Sequence, residues 1–237
     1  MITVVPRTGS TNADVLAALD AGEYWPEAQW LVADRQDAGR GRLGREWSDG
    51  AGNFMGSTVV RPGPHEPPPH TLALLAGLAL FEALSMPLRA QALRPMLKWP
   101  NDVMLDGAKL AGILLEASGP AIVIGIGVNL ASAPDLPERR AVSLADVGIG
   151  MDRDAFAALL RDRFDVELQR WRMAGLAPML RRWHSAAHPA GTGLKVSPPG
   201  EEALEGTFAG LTPEGNLRLT LADGSLRTIH AGDVVLT

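Results

Sequence analysis

Residues 37–47 read Asp-Ala-Gly-Arg-Gly-Arg-Leu-Gly-Arg-Glu-Trp, a run in which three glycines alternate with three arginines before a tryptophan. Glycine allows the backbone to adopt positive φ angles and to approach a ligand closely. The guanidinium of arginine is a planar cation that matches the oxygens of a carboxylate or a phosphate. The run therefore predicts a loop that binds an anion, although a solvated basic loop or a nucleic-acid contact would have the same composition.

Apolar segments on both sides of this run predict that it connects two strands of the core. Residues 30–33 are Trp-Leu-Val-Ala, which predicts a buried strand, and residues 53–60 predict the next strand. Functional residues are often carried by a long loop on such a rigid scaffold. Gln36 lies between the first strand and the loop, so it belongs to the same region.

Helices are predicted before and after these strands. Ser10 or Thr11 can cap a helix that ends at Gly22, because short polar side chains accept hydrogen bonds from the first turn. The apolar segment that begins at Thr71 predicts a buried helix ending before Pro87, too short for the roughly 20 residues that span a bilayer. Asp152 is expected to cap a long amphipathic helix, and residues 176–184 predict a short one.

The middle of the chain predicts a series of strands. Residues 96–105 indicate strand, loop and strand, the pair Asp106-Gly107 indicates a tight hairpin, and residues 109–116 form the returning strand. Residues 121–129 predict a further strand in which Gly125 and Gly127 occupy alternate positions. One face of that strand is therefore bare, which usually marks close approach by a ligand or another backbone.

The composition changes after His188. Short alternating segments between 189 and 237 are separated by turn residues such as Pro198-Pro199-Gly200 and Asp223-Gly224-Ser225. Evenly spaced short strands with such turns predict a small β-barrel. We therefore predict two domains, residues 1–188 and residues 189–237.

Bulk composition limits the classes of function. The 237 residues carry a net charge of −5 and a pI near 5.5, which argues against non-specific binding to nucleic acid. There is no cysteine, so disulfides and thiolate metal sites are excluded, and the five histidines lack the spacing of metal ligands. The first residues lack the basic start and apolar stretch of a signal peptide, so we expect a cytoplasmic protein that does not bind a membrane.

Lys109 begins a strand that is otherwise apolar. A lysine against an apolar wall is costly unless an anion meets it. A lysine at the edge of a strand can also extend its amine into water. Spacing alone leaves both interpretations open.

Four motifs occur in an order that resembles the biotin protein ligases. They are Gly-Arg-Gly-Arg-Leu-Gly-Arg at 39–45, Lys-Trp-Pro-Asn-Asp at 98–102, Lys-Leu-Ala-Gly-Ile-Leu at 109–114 and Gly-Ile-Gly-Val-Asn at 125–129. The resemblance runs over essentially the whole chain, and it is to the short form that lacks an N-terminal DNA-binding domain. It implies an α+β fold, in which a mixed, mostly antiparallel sheet with packed helices precedes a small C-terminal Src-homology-3-like β-barrel.

The resemblance implies an ATP-dependent ligase. Such an enzyme makes biotinoyl-5′-adenylate from biotin and ATP, releases pyrophosphate, and passes biotin to one lysine of a biotin carboxyl carrier domain. Mg²⁺ is expected because ATP is the substrate. Two anions must meet in the first step, so the site needs cations and oriented amides. By resemblance, Lys109 holds the reacting carboxylate and the α-phosphate together, and Arg40 and Arg42 cover them.

The resemblance also divides the site residues between the two substrates. Biotin is expected to contact Ser10, Thr11, Asn12, Gln36, Gly39, Arg40, Gly112, Leu114, Gly125 and Gly127. ATP is expected to contact Arg42, Arg45, Trp47, Asn101, Asp102, Lys109 and Asn129. Hydroxyl and amide groups suit the ureido ring of biotin, and bare glycines leave a groove for its apolar tail. Asp102 is expected to help place the metal or the phosphates, but metal ligands are not assigned.

Two features depart from parts of the family. Ser10-Thr11-Asn12 lies at the start of the chain, so we expect no helix-turn-helix domain before it and no sequence-specific DNA binding. Some members place an arginine from the end of the small domain over the nucleotide, whereas residues 233–237 contain none, and Arg227 is the candidate to replace it. Exposed sheet edges and the resemblance also suggest a homodimer.

Two other functions stay open at this stage. A ligase for lipoate or octanoate would share the overall fold, but Ser10, Thr11 and Gln36 suit a ureido ring better than a dithiolane. A non-catalytic biotin-sensing or interaction protein would have no need of Lys109.

Overall fold

The computed structural model describes residues 1–136 and 140–237. Its first part is a seven-stranded sheet with the order β1-β2-β3-β7-β6-β5-β4. The strands are β1 (Ile2–Val5), β2 (Trp30–Ala33), β3 (Phe54–Val60), β4 (Met96–Lys98), β5 (Asp102–Leu105), β6 (Ala108–Ser118) and β7 (Ala121–Val128). β1 pairs with β2 in parallel, and the other pairs are antiparallel. The mixed, mostly antiparallel sheet is thus confirmed.

The strands around the glycine-arginine run and the hairpin follow the sequence prediction closely. β2 and β3 flank residues 34–53, so the run does connect two core strands. Asp106 and Gly107 have φ angles of 52° and 74°, the pair of positive values that a tight two-residue hairpin turn requires. The sequence reading missed β1, because the strand has only four residues and its two middle residues are exposed, so it shows no alternation of buried and exposed positions.

Four α-helices in the part of the chain that the structure describes cover the two faces of the sheet. α2 (Leu72–Arg89), α3 (Arg153–Ala174) and α4 (Leu176–Ala186) pack on one face, where Ile124 and Ile126 of β7 join their core. α1 (Thr11–Asp20) packs on the opposite face with the neighbouring residue Val123. Because side chains alternate along a strand, consecutive residues of β7 serve the two faces. The face that carries α1 is also the one that carries the cleft described below.

The prediction that the second helix ends before Pro87 is wrong. α2 continues through Pro87 to Arg89, and Leu84 and Leu88 on either side of the proline are fully buried. A proline in the last turn removes a single backbone hydrogen bond, and burial of these leucines outweighs that loss. The stretch Pro69–Arg89 is consequently long and apolar enough to cross a bilayer, but 72% of its apolar window is buried inside the protein.

The two predicted helix caps differ in outcome. Asp152 caps α3 as predicted, because its side chain accepts a hydrogen bond from the Ala155 amide at 2.9 Å. Ser10 occupies the N-cap position of α1 but its side chain makes no capping hydrogen bond, so the predicted cap is wrong. The hydroxyl of Thr11 turns toward Gln36 instead.

The C-terminal part forms a separate antiparallel sheet with the order β11-β10-β9-β8-β12. Its strands are β8 (Gly193–Ser197), β9 (Leu204–Leu211), β10 (Leu217–Thr220), β11 (Leu226–Ile229) and β12 (Asp233–Leu236). The predicted small Src-homology-3-like β domain is confirmed. Its buried side chains continue the hydrophobic cluster of α2 and α4, and the boundary near residue 188 stays a prediction.

Candidate functional site

A cavity of about 460 Å³ lies between the sheet, the start of α1, residues 40–48 and the start of β12. Every predicted site residue except Gly39 lines it: Ser10, Thr11, Asn12, Gln36, Arg40, Arg42, Arg45, Trp47, Asn101, Asp102, Lys109, Gly112, Leu114, Gly125, Gly127 and Asn129. Gly39 supports the loop from behind, where a Cβ atom would come within 2.6 Å of the Trp47 carbonyl oxygen. Residues from five segments of the chain therefore meet in one cleft.

The floor of the cleft is the pair of strands β6 and β7. Gly112 lies opposite Gly127, and Leu114 lies opposite Gly125. A Cβ atom on Gly127 would collide with the indole ring of Trp47, and one on Gly125 would collide with the amide of Asn12. A Cβ atom on Gly112 would lie 3.0 Å from Lys109 Nζ. These glycines are thus needed for close approach by side chains of the protein itself.

The Trp47 ring rests on this glycine floor. Lys109 Nζ lies 5.7 Å from the centre of the ring, within the range of a cation–π contact. The indole N–H is buried and has no hydrogen-bond partner among residues 1–136 and 140–237. Because buried polar groups are normally paired, this donor is available to a ligand.

One end of the cleft is a buried network of hydroxyl and amide groups. Gln36 Oε1 accepts hydrogen bonds from the Thr11 amide at 2.8 Å and from the Thr11 hydroxyl at 3.1 Å. The Ser57 hydroxyl on β3 lies within hydrogen-bond distance of Thr11 Oγ1 at 2.7 Å and Asn12 Oδ1 at 2.5 Å. With the oxygen of Gln36 occupied in this way, its amide NH₂ is the group that it can offer to a ligand.

The other end of the cleft is built on the buried carboxylate of Asp102. Its two oxygens receive Lys109 Nζ at 2.7 Å and Lys98 Nζ at 2.9 Å. Burial alone would raise the pKa of the Asp102 carboxyl, but the charges of Lys109 and Lys98 outweigh it and lower the pKa to about 2. At neutral pH Asp102 is therefore ionised and holds two ammonium groups in place.

The glycine-arginine loop folds back on itself above the cleft. The Gly41 amide donates to the Arg45 carbonyl at 2.7 Å, and the Trp47 amide donates to the Gly39 carbonyl at 2.9 Å. At the tip, Leu43 adopts a φ of 57°, which is unusual for a branched side chain. This turn directs the three arginines to three different places.

Each arginine of the loop meets a separate group of the protein. Arg40 lies 3.6 Å from Glu116 on β6, and Arg45 makes two bonds of 2.7 Å to Asp233 on β12. Arg42 donates to Asn101 Oδ1 at 3.1 Å and to the Gly232 carbonyl at 3.3 Å. Burial lowers the pKa of Arg42, although the charges of Asp233 and Asp102 oppose this change. Acidic, amide and carbonyl groups of the protein thus surround these cations.

Two predicted nucleotide-binding asparagines hold backbone groups in this structure. Asn101 Nδ2 donates to the Ile113 carbonyl at 2.6 Å, and Asn129 Nδ2 lies 3.2 Å from the Val142 carbonyl. Asn101 therefore ties its own loop to β6, and Asn129 ties the end of β7 to the segment that contains Val142. A contact with ATP stays a prediction for each of them.

Four residues of the site were missed as site residues by the sequence reading. Lys98, which stood in a quoted motif without a role, and Asp233 line the cleft. Ser57 and Glu116 contact the lining residues Asn12 and Arg40. The alternation of side chains along β3 and β6 could have placed Ser57 and Glu116 on the cleft face. No local signal pointed to Asp233, which belongs to the other sheet.

Arg227 does not take the place of a terminal arginine in this structure. It lies on the edge strand β11, where it pairs with Glu201 at 3.1 Å and both side chains are about half exposed. It does not line the cleft. The expectation that it reaches the nucleotide site is therefore wrong.

The described residues offer no preformed metal site. No group of three or more histidine and acidic side chains that could hold a metal ion occurs within residues 1–136 and 140–237. Both oxygens of Asp102 are held by lysines, so this carboxylate is suited to positioning ammonium groups. The expectation that it helps to place a metal has no support in the geometry.

Comparisons with known proteins agree with the architecture. Residues 4–129 match the model of the biotin/lipoate A/B protein ligase family, and residues 195–237 match that of the biotin protein ligase C-terminal domain. A biotin–[acetyl-CoA-carboxylase] ligase from Paracoccus denitrificans is 38% identical over 91% of this chain and 92% of its own length. The ligase of the same name from Mycobacterium tuberculosis is 35% identical over 99% of this chain and 88% of its own length. The structure of a biotin protein ligase from Aquifex aeolicus in complex with biotin and ATP has a TM-score of 0.84 at 28% identity, covering 100% of this chain and 98% of that one.

Proposed function

This chain belongs to the biotin/lipoate A/B protein ligase family, and we infer that it is a biotin–protein ligase that activates biotin with ATP and transfers it to a protein lysine. The observation that carries this function is the position of Lys109. Its ammonium is held by Asp102 inside the cleft, beside Gly112 and within reach of the arginine loop. A cation placed in this way suits a reaction in which two anions must meet.

In the first step, a carboxylate oxygen of biotin attacks the α-phosphorus of ATP. A bond forms between these atoms, the bond from the α-phosphorus to the bridging oxygen breaks, and pyrophosphate leaves. We assign Lys109 to neutralise both the attacking carboxylate and the α-phosphate, with Arg42 on the phosphate side. Asp102 keeps Lys109 in position without competing for its proton, because its own pKa is far below neutral.

Biotin binding is assigned to the polar end of the cleft and to its glycine floor. The ureido ring needs donors and acceptors, which Ser10, Thr11 and the NH₂ group of Gln36 supply. Its apolar tail would lie along Leu114 and the exposed backbone at Gly112. Trp47 covers part of this floor, so we expect its ring to move or to stack against the bound reactants.

In the second step, the amine of an acceptor lysine attacks the acyl carbon of the mixed anhydride. An amide bond forms, AMP leaves, and the proton of the amine is lost to solvent. No nucleophile of the enzyme is required. From the names of the relatives we propose a biotin carboxyl carrier domain of an acetyl-CoA carboxylase as the acceptor.

The reaction is expected to use Mg²⁺ that arrives bound to the phosphates of ATP. Such a metal would supply charge neutralisation at the phosphates. The described side chains do not fit a dedicated site for it, so no step is assigned to a protein-bound metal. A homodimer, a cytoplasmic location and the absence of sequence-specific DNA binding stay predictions.

The direct test is to mix the protein with biotin and Mg²⁺-ATP and to search for the adenylate by mass. Biotinoyl-5′-adenylate and pyrophosphate should form only when both substrates are present. The loop at residues 39–45 should become resistant to protease as the adenylate forms, because glycine-rich segments are entropically free without a ligand. Absence of the adenylate at saturating substrates would favour a non-catalytic biotin-binding protein.

Lipoate is the alternative acyl substrate within this family. Competition calorimetry with biotin and lipoate separates the two, because the network of Thr11, Gln36 and Ser57 offers polar groups to a ureido ring that a dithiolane cannot use. Tight binding of lipoate without binding of biotin would overturn the assignment.

A further inference from the structure

Glu116 places a negative charge beside Asn12 and Arg40, two residues that line the cleft in which two anions are proposed to meet. It follows Gly112 and Leu114 at alternate positions of β6, so its side chain lies on the same face as the cleft floor. Glu116 Oε2 accepts a hydrogen bond from Asn12 Nδ2 at 2.8 Å, and Glu116 Oε1 lies 3.6 Å from a guanidinium nitrogen of Arg40. The carboxylate thus connects the start of α1 with the arginine loop.

We propose that Arg40 and Glu116 form a strap across the polar end of the cleft, and that this strap sets how long biotin stays bound. The proposal rests on the proposed function, because the polar end is where the ureido ring is assigned. It changes the role expected for Arg40 from the sequence. The side chain of Arg40 is a positioning group that closes the loop, and the charge on the reacting phosphate is met by Lys109 and Arg42.

The two ends of the cleft separate these roles. Arg42 bonds to Asn101, whose own amide bonds to the Ile113 carbonyl, so Arg42 lies at the end of the cleft that holds Lys109. Glu116 lies four residues beyond Gly112, which is about 13 Å along an extended strand. Arg40 is therefore directed toward Asn12 and the hydroxyl network, away from the lysine.

The strap is suited to opening and closing. The side chains of Arg40 and Glu116 are 49% and 26% exposed, and the distance of 3.6 Å is that of an ion pair without a direct hydrogen bond. Partly exposed pairs of this kind are weak, so the loop can release its ligand when the pair breaks. Loss of the pair should speed the dissociation of biotin by about 2- to 5-fold, the range expected for such a contact.

The variant Glu116→Gln separates the charge of Glu116 from its hydrogen bond to Asn12. A glutamine oxygen can still accept the hydrogen bond from Asn12, whereas the attraction to Arg40 is lost. Arg40→Gln removes the other partner, and Glu116→Gln/Arg40→Gln completes a double-mutant cycle. Glu205→Gln is the matched control, because Glu205 forms a similarly long pair with Lys195 at 3.8 Å on the small domain.

Three measurements are made on the full chain: hydrogen exchange of residues 38–47 without ligand, the dissociation rate of biotin, and the rate of adenylate formation at saturating substrates. Both single variants should raise loop exchange and biotin dissociation, the double variant should be no worse than either one, and any fall in saturated turnover should be accompanied by faster dissociation of biotin. Glu205→Gln should behave as the unsubstituted protein.

Additive effects in the double variant would overturn the strap, as would a fall in saturated turnover for Arg40→Gln with an unchanged dissociation rate. Unchanged loop exchange in both single variants would also overturn it. The exchange measurement needs no biotin. It therefore tests whether Arg40 and Glu116 hold the loop even if the protein fails to bind biotin and the proposed function is rejected.

Discussion

Lys109 is the residue for which a single substitution is most informative. Lys109→Ala should slow adenylate formation by about 10²- to 10³-fold, the usual loss when one charge contact to a transition state is removed. The fold should survive, because Asp102 keeps Lys98 as a partner at 2.9 Å. Rapid-quench measurement of pyrophosphate release gives the rate.

Lys195→Ala is a suitable control for this substitution, since Lys195 is a half-exposed lysine on the small domain. It should leave the rate unchanged. If Lys109→Ala also left the rate unchanged, the role assigned to its ammonium would be incorrect.

A substitution at Gly127 tests whether the floor of the cleft lacks side chains so that the Trp47 ring can pack against it. In Gly127→Ala, the new methyl group would collide with the Trp47 ring, which must move off the floor. Overpacking of this kind costs about 1–3 kcal/mol, so the closed arrangement of the loop should be lost. Tryptophan emission should shift toward that of a solvated indole, and the shift should disappear in a Trp47→Phe background.

Gly150→Ala provides the comparison for that experiment, because no atom lies within 4 Å of the Cβ position of Gly150. It should leave the emission unchanged. Identical spectra for Gly127→Ala and the unsubstituted protein would mean that the ring does not rest on the floor in solution.

The sequence predicted which residues line the cleft better than it predicted the partners of those residues. Motifs such as Lys-Leu-Ala-Gly-Ile-Leu at 109–114 are local, so both Lys109 and Gly112 could be found from them. Glu116 pairs with Arg40, which lies 76 residues away along the chain, and Asp233 pairs with Arg45, which lies 188 residues away. Only folding brings such groups together, so the spacing of residues along the sequence cannot predict these pairs.

At the scale of elements, the N-cap of α3 was predicted from the local sequence alone, and its contribution to stability can be tested. Asp152→Ala should destabilise the protein by about 1 kcal/mol, the typical loss for an N-cap side chain. The side chain accepts a hydrogen bond from the Ala155 amide at 2.9 Å, and alanine cannot replace it. Urea denaturation at neutral pH measures the difference.

Asp154→Ala separates the cap from the general effect of negative charge in a first helical turn. Asp154 lies in the first turn of α3 but its partner is the Arg153 side chain, so its loss should matter less. Equal destabilisation by the two variants would show that the hydrogen bond of the cap contributes nothing beyond charge.

Errors at the scale of elements have a common cause. The end of α2 was predicted from Pro87, and the cap of α1 was predicted from Ser10 and Thr11, which are both local rules. Burial of Leu88 extends α2, and the network with Gln36 redirects Thr11. Tertiary contacts therefore override local propensity where an element faces the core or the cleft.

At the scale of the whole molecule, the small domain takes part in the cleft. Gly232 and the first two residues of β12 contact three cations of the larger domain. The Gly232 carbonyl accepts from Arg42, Asp233 pairs with Arg45, and the Val234 carbonyl accepts from Lys98 at 2.9 Å. The composition after residue 188 predicted a separate barrel but gave no reason to place it against the site. Movement between the two parts would disturb the loop and the Asp102 cluster together.

The junction between the two parts contains a buried histidine that should make stability depend on pH. His188 is 3% exposed, and its ring lies 4.3 Å from the ring of Phe208. Burial lowers the pKa of His188 below its usual value, and the charge of Lys98 lowers it further, against a backbone contact at Pro189. The neutral form is therefore the one that the folded protein favours.

The sign of the effect follows from the lowered pKa. The unfolded chain binds a proton near pH 6.5, whereas the folded protein binds it at lower pH. The stability that this histidine contributes is fully present above pH 6.5 and is lost as the pH falls toward the folded-state value. The loss should be at most about 1.4 kcal/mol for each pH unit below 6.5.

His188→Leu removes the titrating group while keeping a side chain of similar size against Phe208. Between pH 7.5 and 5.5, the free energy of unfolding should fall more steeply for the unsubstituted protein than for His188→Leu, as measured by urea denaturation. Between pH 7.5 and 8.5 the difference between the two proteins should stay constant, since the histidine is neutral in both states there. A constant difference down to pH 5.5 would contradict the prediction, and it would mean that the junction accepts a charged histidine without opening.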